Sequence, residues 1–395
     1  MIKSDKKICL VSGDYPPCRG GLADYTKCLY DELIKNLNPE NVYLVTSTED
    51  DMRVELKEKN IFKIIPRWNF GGIIKLFNFI RKIKPDIVHI QYPTQNYKRD
   101  LAVDFFPFIL KLTRPKVGTI STLHEFSNRS LLGKLRLSIS ILFSSRIIVV
   151  SKLYKKDILK FLWPFRLLLE SKIIYIPDGA NILPPEKDVI DLRIIQEIKE
   201  RIKTNNNDFI ICFFGSIRLG KGIEFLLNAL DLLIKNGHSN FKLLFIGQFG
   251  GDIYKRIREI IELNHLEKHV HFTGYCSPTE VSYYLLSSDA CVLPFEDGVS
   301  TKRGSLMAAI FHKLPIISTF SKNPPDELIN EENILLVNYG NVKELKETII
   351  RLSKKEDLRS KLREGLVKIL DSFSWQTITN KTIGLYQDIL SKSKN

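Results

Sequence analysis

Ser300, Thr301, Lys302, Arg303, Gly304 and Ser305 stand side by side in "VLPFEDGVSTKRGSLMAAIFHKLPIIST", residues 292–319. Two hydroxyls, two cations and the backbone N–H groups that open the small-residue helix "SLMAAIF" make a cluster suited to phosphate oxygens. A second such loop is "FFGSIRLGKGIEFLLNAL". It ends a strand, supplies Arg218 and Lys221 beside three glycines and then starts a helix, so two cations and a positive helix end can point at one diphosphate. The spacing is not that of a P-loop, because Gly222 stands where Ser or Thr is required. Two basic strand-end loops in one half of the chain imply one polyphosphate ligand, and a sugar nucleotide fits that description.

The first half offers weaker candidates. In "GDYPPCRGGLADYTKCLYDEL" the pair Gly20-Gly21 precedes a helix with Asp24 in its first turn. Paired glycines allow a ligand close to the backbone, and a tight strand-to-helix turn explains them equally well. The dinucleotide fingerprint GxGxxG is not met. His124 and Glu125 follow the strand-like "KVGTISTL"; a lone strand-end histidine is commonly structural, but its place opposite the phosphate loops favours function. His89 in "DIVHIQY" reads as a packed residue, with Gln91 and Tyr92 at the strand's lip as ligand contacts. No His or Cys cluster has metal-ligand spacing.

The elements that must position these residues recur along the chain. "KICLVS", "NVYLVTS", "DIVHIQY", "KVGTISTLH", "RIIVVS" and "KIIYIPDG" are followed by "DFIICFFGS", "FKLLFIGQ", "HVHFTGY", "ACVLPF", "LPIISTF" and "NILLVNYG". Most are continuous apolar runs, as expected of strands buried on both faces, and helical-period segments separate most of them. That predicts a parallel α/β lobe, twice. The stretch "ILPPEKDVIDLRIIQEIKERIKTNNNDF" reads as no core strand and sets a boundary near Pro184. The lobes are thus residues 1–184 and 185–373, followed by an amphipathic helix over 374–395 with Ser374 as its N-cap. Ligands of such sheets bind at the carboxyl ends of strands, so the cleft between lobes is where the site is expected.

Composition narrows the setting. The 395 residues are 44% hydrophobic and 26% charged, with no apolar run of membrane-spanning length and an N-terminal strand too early for an export signal. Six cysteines without CxxC spacing read as core residues of a reduced, cytoplasmic protein. A net charge of +14 favours phosphate-bearing partners, but no nucleic-acid motif is present. Residues 128–172 hold ten Lys or Arg against Asp157 and Glu170, interleaved with "SISILF" and "KFLWPFRLLL". This is the pattern of a peripheral surface for anionic membrane, on the inner face of the membrane, or else of a solvated basic face.

In order and spacing, "VSGDYPPCRGGLADYTKCL", "DIVHIQYP", "TLHEF", "IIVVSKLYKKDI", "IPDGANI", "FFGSIRLGKGIEFLLNAL", "HFTGYCSPTEVSYYLLSSDACVLPF" and "FSWQTITNKTIGLYQDIL" resemble the retaining, nucleotide-sugar-dependent glycosyltransferases of family 4. The resemblance covers nearly the whole chain. It implies the GT-B fold: two Rossmann-like parallel-sheet lobes facing a cleft, with the C-terminal helix crossing back to the first lobe. The first lobe would bind a sugar or lipid-linked acceptor, with Gln91, Tyr92 and Glu125 as candidate contacts, and the second the nucleotide sugar. Gly20 and Gly21 would lie near the donor phosphates and His124 would contact the donor sugar. Arg218 and Lys221 would bind the diphosphate, with Ser216 where the family commonly has Arg, and the backbone at Tyr275 and Cys276 would hold the base.

One departure stands out. The family's two glutamates, separated by seven residues, fall on Ser300 and Ala308, and neither Glu296 nor Asp297 has an acid at the matching spacing. "GVSTKRGSLMAA" is similar to a variant branch in which Ser300, Thr301, Arg303, Gly304 and Ser305 take over donor binding. The resemblance implies transfer of a sugar from a nucleoside diphosphate sugar to an acceptor hydroxyl, in polysaccharide or glycoconjugate biosynthesis, with no metal and no cofactor. Its rivals are a non-catalytic GT-B subunit of a polysaccharide-assembly complex, a sugar-nucleotide epimerase and a nicotinamide-dependent dehydrogenase.

Overall fold

The computed structural model describes residues 5–18, 20–48, 60–98, 100–203, 205–249 and 253–392. The last three positions expected in the terminal helix, 393–395, therefore lie outside the described residues. The chain forms two compact units, Met1–Gly179 with Phe373–Asn395, and Ala180–Ser372.

In the first unit, β1 (Ile8–Val11), α1 (Gly21–Asn36), β2 (Val42–Ser47), β3 (Ile61–Ile65), α2 (Phe70–Ile83) and β4 (Ile87–Tyr92) come first. They are followed by α3 (Ala102–Thr113), β5 (Gly118–Leu123), α4 (Leu131–Phe143), β6 (Arg146–Val149), α5 (Lys152–Phe161), α6 (Arg166–Glu170) and β7 (Ile173–Tyr175). All seven strands are parallel, in the order β3-β2-β1-β4-β5-β6-β7.

The continuous apolar runs are resolved by the two-residue period of a strand. Cys9 and Val11 of β1 join the core under α2, α3, α4 and α5, while Ile8 and Leu10 join the core on the other face. That second face is covered by α1 and by the terminal helix α14 (Trp375–Lys392), through Leu29, Leu33, Ile378 and Tyr386. The same parity turns His89 of β4, opposite Leu10 in the register, toward α14. Gly118 is the close approach: a Cβ there would lie 2.5 Å from the Ile389 side chain.

The second unit runs α7 (Leu192–Ile202), β8 (Phe209–Phe214), α8 (Ile223–Lys235), β9 (Phe241–Ile246), α9 (Ile253–Leu263), β10 (Val270–Phe272) and α10 (Pro278–Leu286). It continues with β11 (Ala290–Leu293), α11 (Gly304–Phe311), β12 (Ile316–Thr319), β13 (Leu335–Val337), α12 (Val342–Lys354) and α13 (Glu356–Leu370). Its six parallel strands are ordered β10-β9-β8-β11-β12-β13. Both sheets therefore reverse strand order once, between β1 and β4 and between β8 and β11. Open parallel sheets take ligands outside the carboxyl ends at such a reversal.

Candidate functional site

At the reversal of the second sheet the loops after β8 and β11 meet. Gly222, the N-cap of α8, has φ +70°, and a Cβ there would stand 1.8 Å from the Pro294 carbonyl oxygen. Glycine thus lets the two loops close on each other. Phe295, buried just beyond β11, is the platform: the Lys221 ammonium lies 5.1 Å and the Arg303 guanidinium carbon 3.9 Å from its ring centre. Burial, then the charges of Arg303 and Arg218, lower the Lys221 pKa to about 8. Burial also lowers Arg303, although its ion pair with Asp297 works the other way. Arg303 Nε is buried with no hydrogen-bond partner. Arg218, Lys221 and Arg303 are near neighbours, with Asp297 on Arg303 and Glu224 and Glu296 lining the recess of Arg218, an arrangement suited to an anion.

The helix starts add to it. α8 begins at Gly222 and α11 at Arg303, and neither has a side-chain cap, so their first N–H groups are available to a ligand. Gly215 at the end of β8 packs against Ser305, so the first turn of α11 sits on the β8 loop beside Ser216. Arg218 lines a recess of about 190 Å³ together with Gly220, Glu224, Glu296 and Tyr339. Ser300 Oγ accepts from Lys302 N, and Thr301 is buried. Ala308 is fully enclosed within α11.

Tyr275 and Cys276 follow β10, the edge strand, and so stand off the reversal. They remain linked to it by glycines: Gly247 after β9 bridges Gly274, and a Cβ on Gly247 would meet the Gly215 carbonyl oxygen at 2.3 Å. Tyr275 is exposed, and Cys276 Sγ donates to the Gly274 carbonyl.

In the first unit, His124 sits at the end of β5 with its ring edge-on to Tyr25, the centroids 4.5 Å apart. Its Nδ1 stands 3.4 Å from Asp178, and its Nε2 lies 3.0 Å from Gln91 Oε1. Behind it, Gln91 Nε2 points at His89 Nε2 (3.4 Å), which also meets Thr122 Oγ1 (2.7 Å), while His89 Nδ1 meets the Tyr386 hydroxyl (2.7 Å). Burial, then the neighbouring His124, lower the His89 pKa to about 3, so this ring is neutral. The Gln91 side chain thus bridges the two rings, its Nε2 at His89 and its Oε1 at His124.

This corrects the expectation for β4. Gln91 and Tyr92 are not at a lip: both are buried, Gln91 inside the histidine relay and Tyr92 beside Asp104 and Arg136. Glu125 is half-exposed and accepts two hydrogen bonds from Arg129. Gly20 and Gly21 open α1; Gly20 has φ +152° with no neighbour near a Cβ, so this start is open. The tight glycine of that loop is Gly13, where a Cβ would lie 2.1 Å from Thr94 Oγ1. Asp14 ties the β1 and β4 loops by accepting from Gln95 N (2.8 Å) and Asn96 N (3.0 Å). Phe295, Asp297, Asp178 and Tyr386 were not among the residues expected to serve the site. Of these, Phe295 and Asp297 lie in the same strand-end loop as Arg303 and were the nearest to being found.

Two parallel-sheet units of this order, the second with a basic strand-end site, have the GT-B fold. The structure is similar to that of Anabaena HepE, crystallised in complex with UDP, with a TM-score of 0.75 and 15% identity over 97% of this chain and 100% of that one. Residues 194–366 match the family model for glycosyl transferases group 1. An uncharacterized glycosyltransferase of Methanocaldococcus jannaschii is 24% identical over 96% of this chain and 98% of its own length. The capsular polysaccharide biosynthesis glycosyltransferase CapM of Staphylococcus aureus is 24% identical over 73% and 78%. The chain is thus similar to group 1 glycosyltransferases, the family-model match lying within the second unit.

Proposed function

We propose that this protein is a retaining glycosyltransferase of family 4 type that moves a sugar from a nucleoside diphosphate sugar to an acceptor hydroxyl in polysaccharide or glycoconjugate assembly. The observation that carries the reading is the grouping of Lys221 and Arg303 on the Phe295 ring, with Arg218 in the same loop system. A leaving diphosphate develops negative charge as the anomeric bond breaks, and pre-placed cations and helix N-termini stabilise that charge without reorganising. In this reading Arg218, Lys221 and Arg303 take that role, Ser300, Thr301, Gly304 and Ser305 hold phosphate or sugar oxygens, and the backbone at Tyr275 and Cys276 holds the base. His124 contacts the donor sugar.

Retention follows a front-face route in this proposal: the leaving phosphate oxygen accepts the proton of the attacking hydroxyl, so no carboxylate nucleophile is needed. With three cations on the diphosphate, the reading calls for no metal and no resident cofactor. Uridine is the base to try first, since the Anabaena protein was crystallised with UDP. The capsule role of CapM favours a glycan acceptor. Ser300 and Ala308 replace the glutamate pair, so ribose recognition differs from that of the wider family.

The test is calorimetric titration with UDP and other nucleoside diphosphates, followed by incubation with a panel of nucleotide hexoses and acceptors and proton NMR of the anomeric coupling in the product. Binding with an axial-to-axial transfer supports the proposal. Binding without transfer across the panel favours the non-catalytic subunit, and no diphosphate binding removes both readings.

A further inference from the structure

We propose that the hairpin of α5 and α6, together with the first turn of α4, docks on an anionic lipid bilayer. The basic segment noted in the sequence divides in two once folded. Arg136 pairs with Asp104, Arg146 with Asp388, and the buried Lys172 donates to the Leu142 carbonyl, so these three serve the interior. Lys156, Lys160 and Arg166 remain exposed on α5 and α6.

The apolar residues of the segment divide the other way. Trp163 is 73% exposed, Leu167 91% and Leu132 74%, with Leu131, Leu135, Phe165 and Leu168 also open to solvent. A surface residue of one of these types is ordinary; seven within 38 positions are a patch. The two parts of the patch flank one buried ring, Phe126. Lys155 Nζ donates to the Glu170 carbonyl and closes α5 and α6 into a hairpin. At its tip Phe161 packs edge-on to Phe126, the centroids 6.1 Å apart, and Lys134 of α4 lies 5.7 Å from the same Phe126 ring. Both the hairpin that carries Trp163 and Phe165 and the helix that carries Leu131, Leu132 and Leu135 are thus anchored on Phe126.

The occupant follows from the chemistry of the rim. Protein interfaces are depleted in lysine around their apolar centre, whereas a bilayer surface pairs exposed Leu, Phe and Trp with Lys and Arg that reach lipid headgroups. The charged residues of the hairpin are Lys152, Lys155, Lys156, Lys160 and Arg166 against Asp157 and Glu170, the last engaged by Arg166 at 4.0 Å. The unbalanced positive charge selects for anionic lipid. Among the described residues no helix is long and apolar enough to cross a membrane, so the contact lies on the surface. The surface is independent of the transfer reading and stands or falls separately from it.

The protein carries its own probe. Of its three tryptophans, Trp68 is 1% exposed and Trp375 6%, so Trp163 alone faces solvent. Vesicles of phosphatidylcholine with phosphatidylglycerol should shift the Trp emission to the blue, and Trp163→Phe should abolish the shift. Partitioning should be about tenfold or more weaker on pure phosphatidylcholine, and should fall with salt. Leu131→Ser/Leu132→Ser/Leu167→Ser/Leu168→Ser, all at exposed positions, should remove vesicle co-sedimentation while near-ultraviolet circular dichroism stays unchanged. Lys156→Glu/Lys160→Glu should remove only the preference for anionic lipid. No shift with either vesicle, an equal response to both, or a lipid-free shift that grows with protein concentration, which would mark a second copy as the occupant, overturns the proposal.

Discussion

Arg303 and Lys221 share one aromatic ring, with the Arg303 guanidinium carbon 3.9 Å and the Lys221 ammonium 5.1 Å from the centre of Phe295. Two like charges are held near each other by a ring quadrupole that attracts both. A diphosphate would relieve their repulsion and gain a charge-assisted contact from each. Lys221→Ala is expected to remove about 1.5 to 3 kcal/mol and weaken nucleoside diphosphate binding roughly tenfold to a hundredfold, with Arg303→Ala similar. Unchanged calorimetric affinity in a folded variant would remove the assignment.

The lowered Lys221 pKa gives this site a pH signature. With the ammonium pKa at about 8 instead of the ordinary 10.5, the free protein loses that proton as pH rises through 8. A bound diphosphate favours the ammonium and raises its pKa, so binding above pH 8 takes up a proton. Affinity should therefore fall as pH rises from 8, by up to about tenfold per pH unit, and be flat below 7 as far as Lys221 is concerned. Calorimetry in buffers of different ionisation enthalpy reads the proton directly. Lys221→Arg should abolish the uptake; if it persists in that variant, another group carries it.

Asp297 is the carboxylate that competes for Arg303. A diphosphate must displace or share with it. With its carboxylate in solvent the pair is worth about 0.2 to 1 kcal/mol, so Asp297→Asn should tighten diphosphate binding by up to about fivefold. Weaker binding in Asp297→Asn would mean that the carboxylate orients Arg303 for the ligand.

The fold was legible where strands are buried on both faces, because such strands are continuous apolar runs. β3 was not: Ile61–Ile65 is an edge strand, mostly half-buried, and Lys63 interrupts its run. In the site, Arg218, Lys221 and Arg303 were legible because cations beside glycines at strand ends have few structural uses. Gln91 and Tyr92 were misjudged because Gln91 is enclosed between His89 and His124 and Tyr92 sits beside Asp104 and Arg136, contacts that the β4 run alone does not show. The partnership of His89 with Tyr386 spans 297 positions and no local pattern announces it.

That partnership makes its own prediction. Tyr386→Phe leaves the buried His89 Nδ1 without its hydrogen-bond partner and should cost about 1 to 3 kcal/mol of stability in chemical denaturation. His89→Leu/Tyr386→Phe removes both members and should cost less than the sum of the single changes, because no buried ring nitrogen is left unpaired. Strict additivity would show that the two rings do not interact.

The last prediction concerns the ribose. In the proposed reading Ala308 takes the place of a family glutamate; it is fully enclosed in α11, with His312 N and Nδ1 both donating to its carbonyl. A carboxylate introduced there would be buried among Leu306, Met307 and Ala309, so Ala308→Glu should destabilise the unit rather than supply a ribose contact. The native protein tests the point more directly. If Ser300, Thr301 and the cations hold the diphosphate while no acid holds the ribose, losing one ribose hydroxyl removes at most a neutral hydrogen bond, worth about 0.5 to 1.5 kcal/mol. The 2′-deoxy nucleoside diphosphate should then bind within about tenfold of the ribo form in the same titration. A larger penalty would mean that another group grips the ribose. Glu296, exposed in the recess beside Arg218 and Tyr339, is the carboxylate placed to do so, and Glu296→Gln would then reproduce the loss with the ribo ligand.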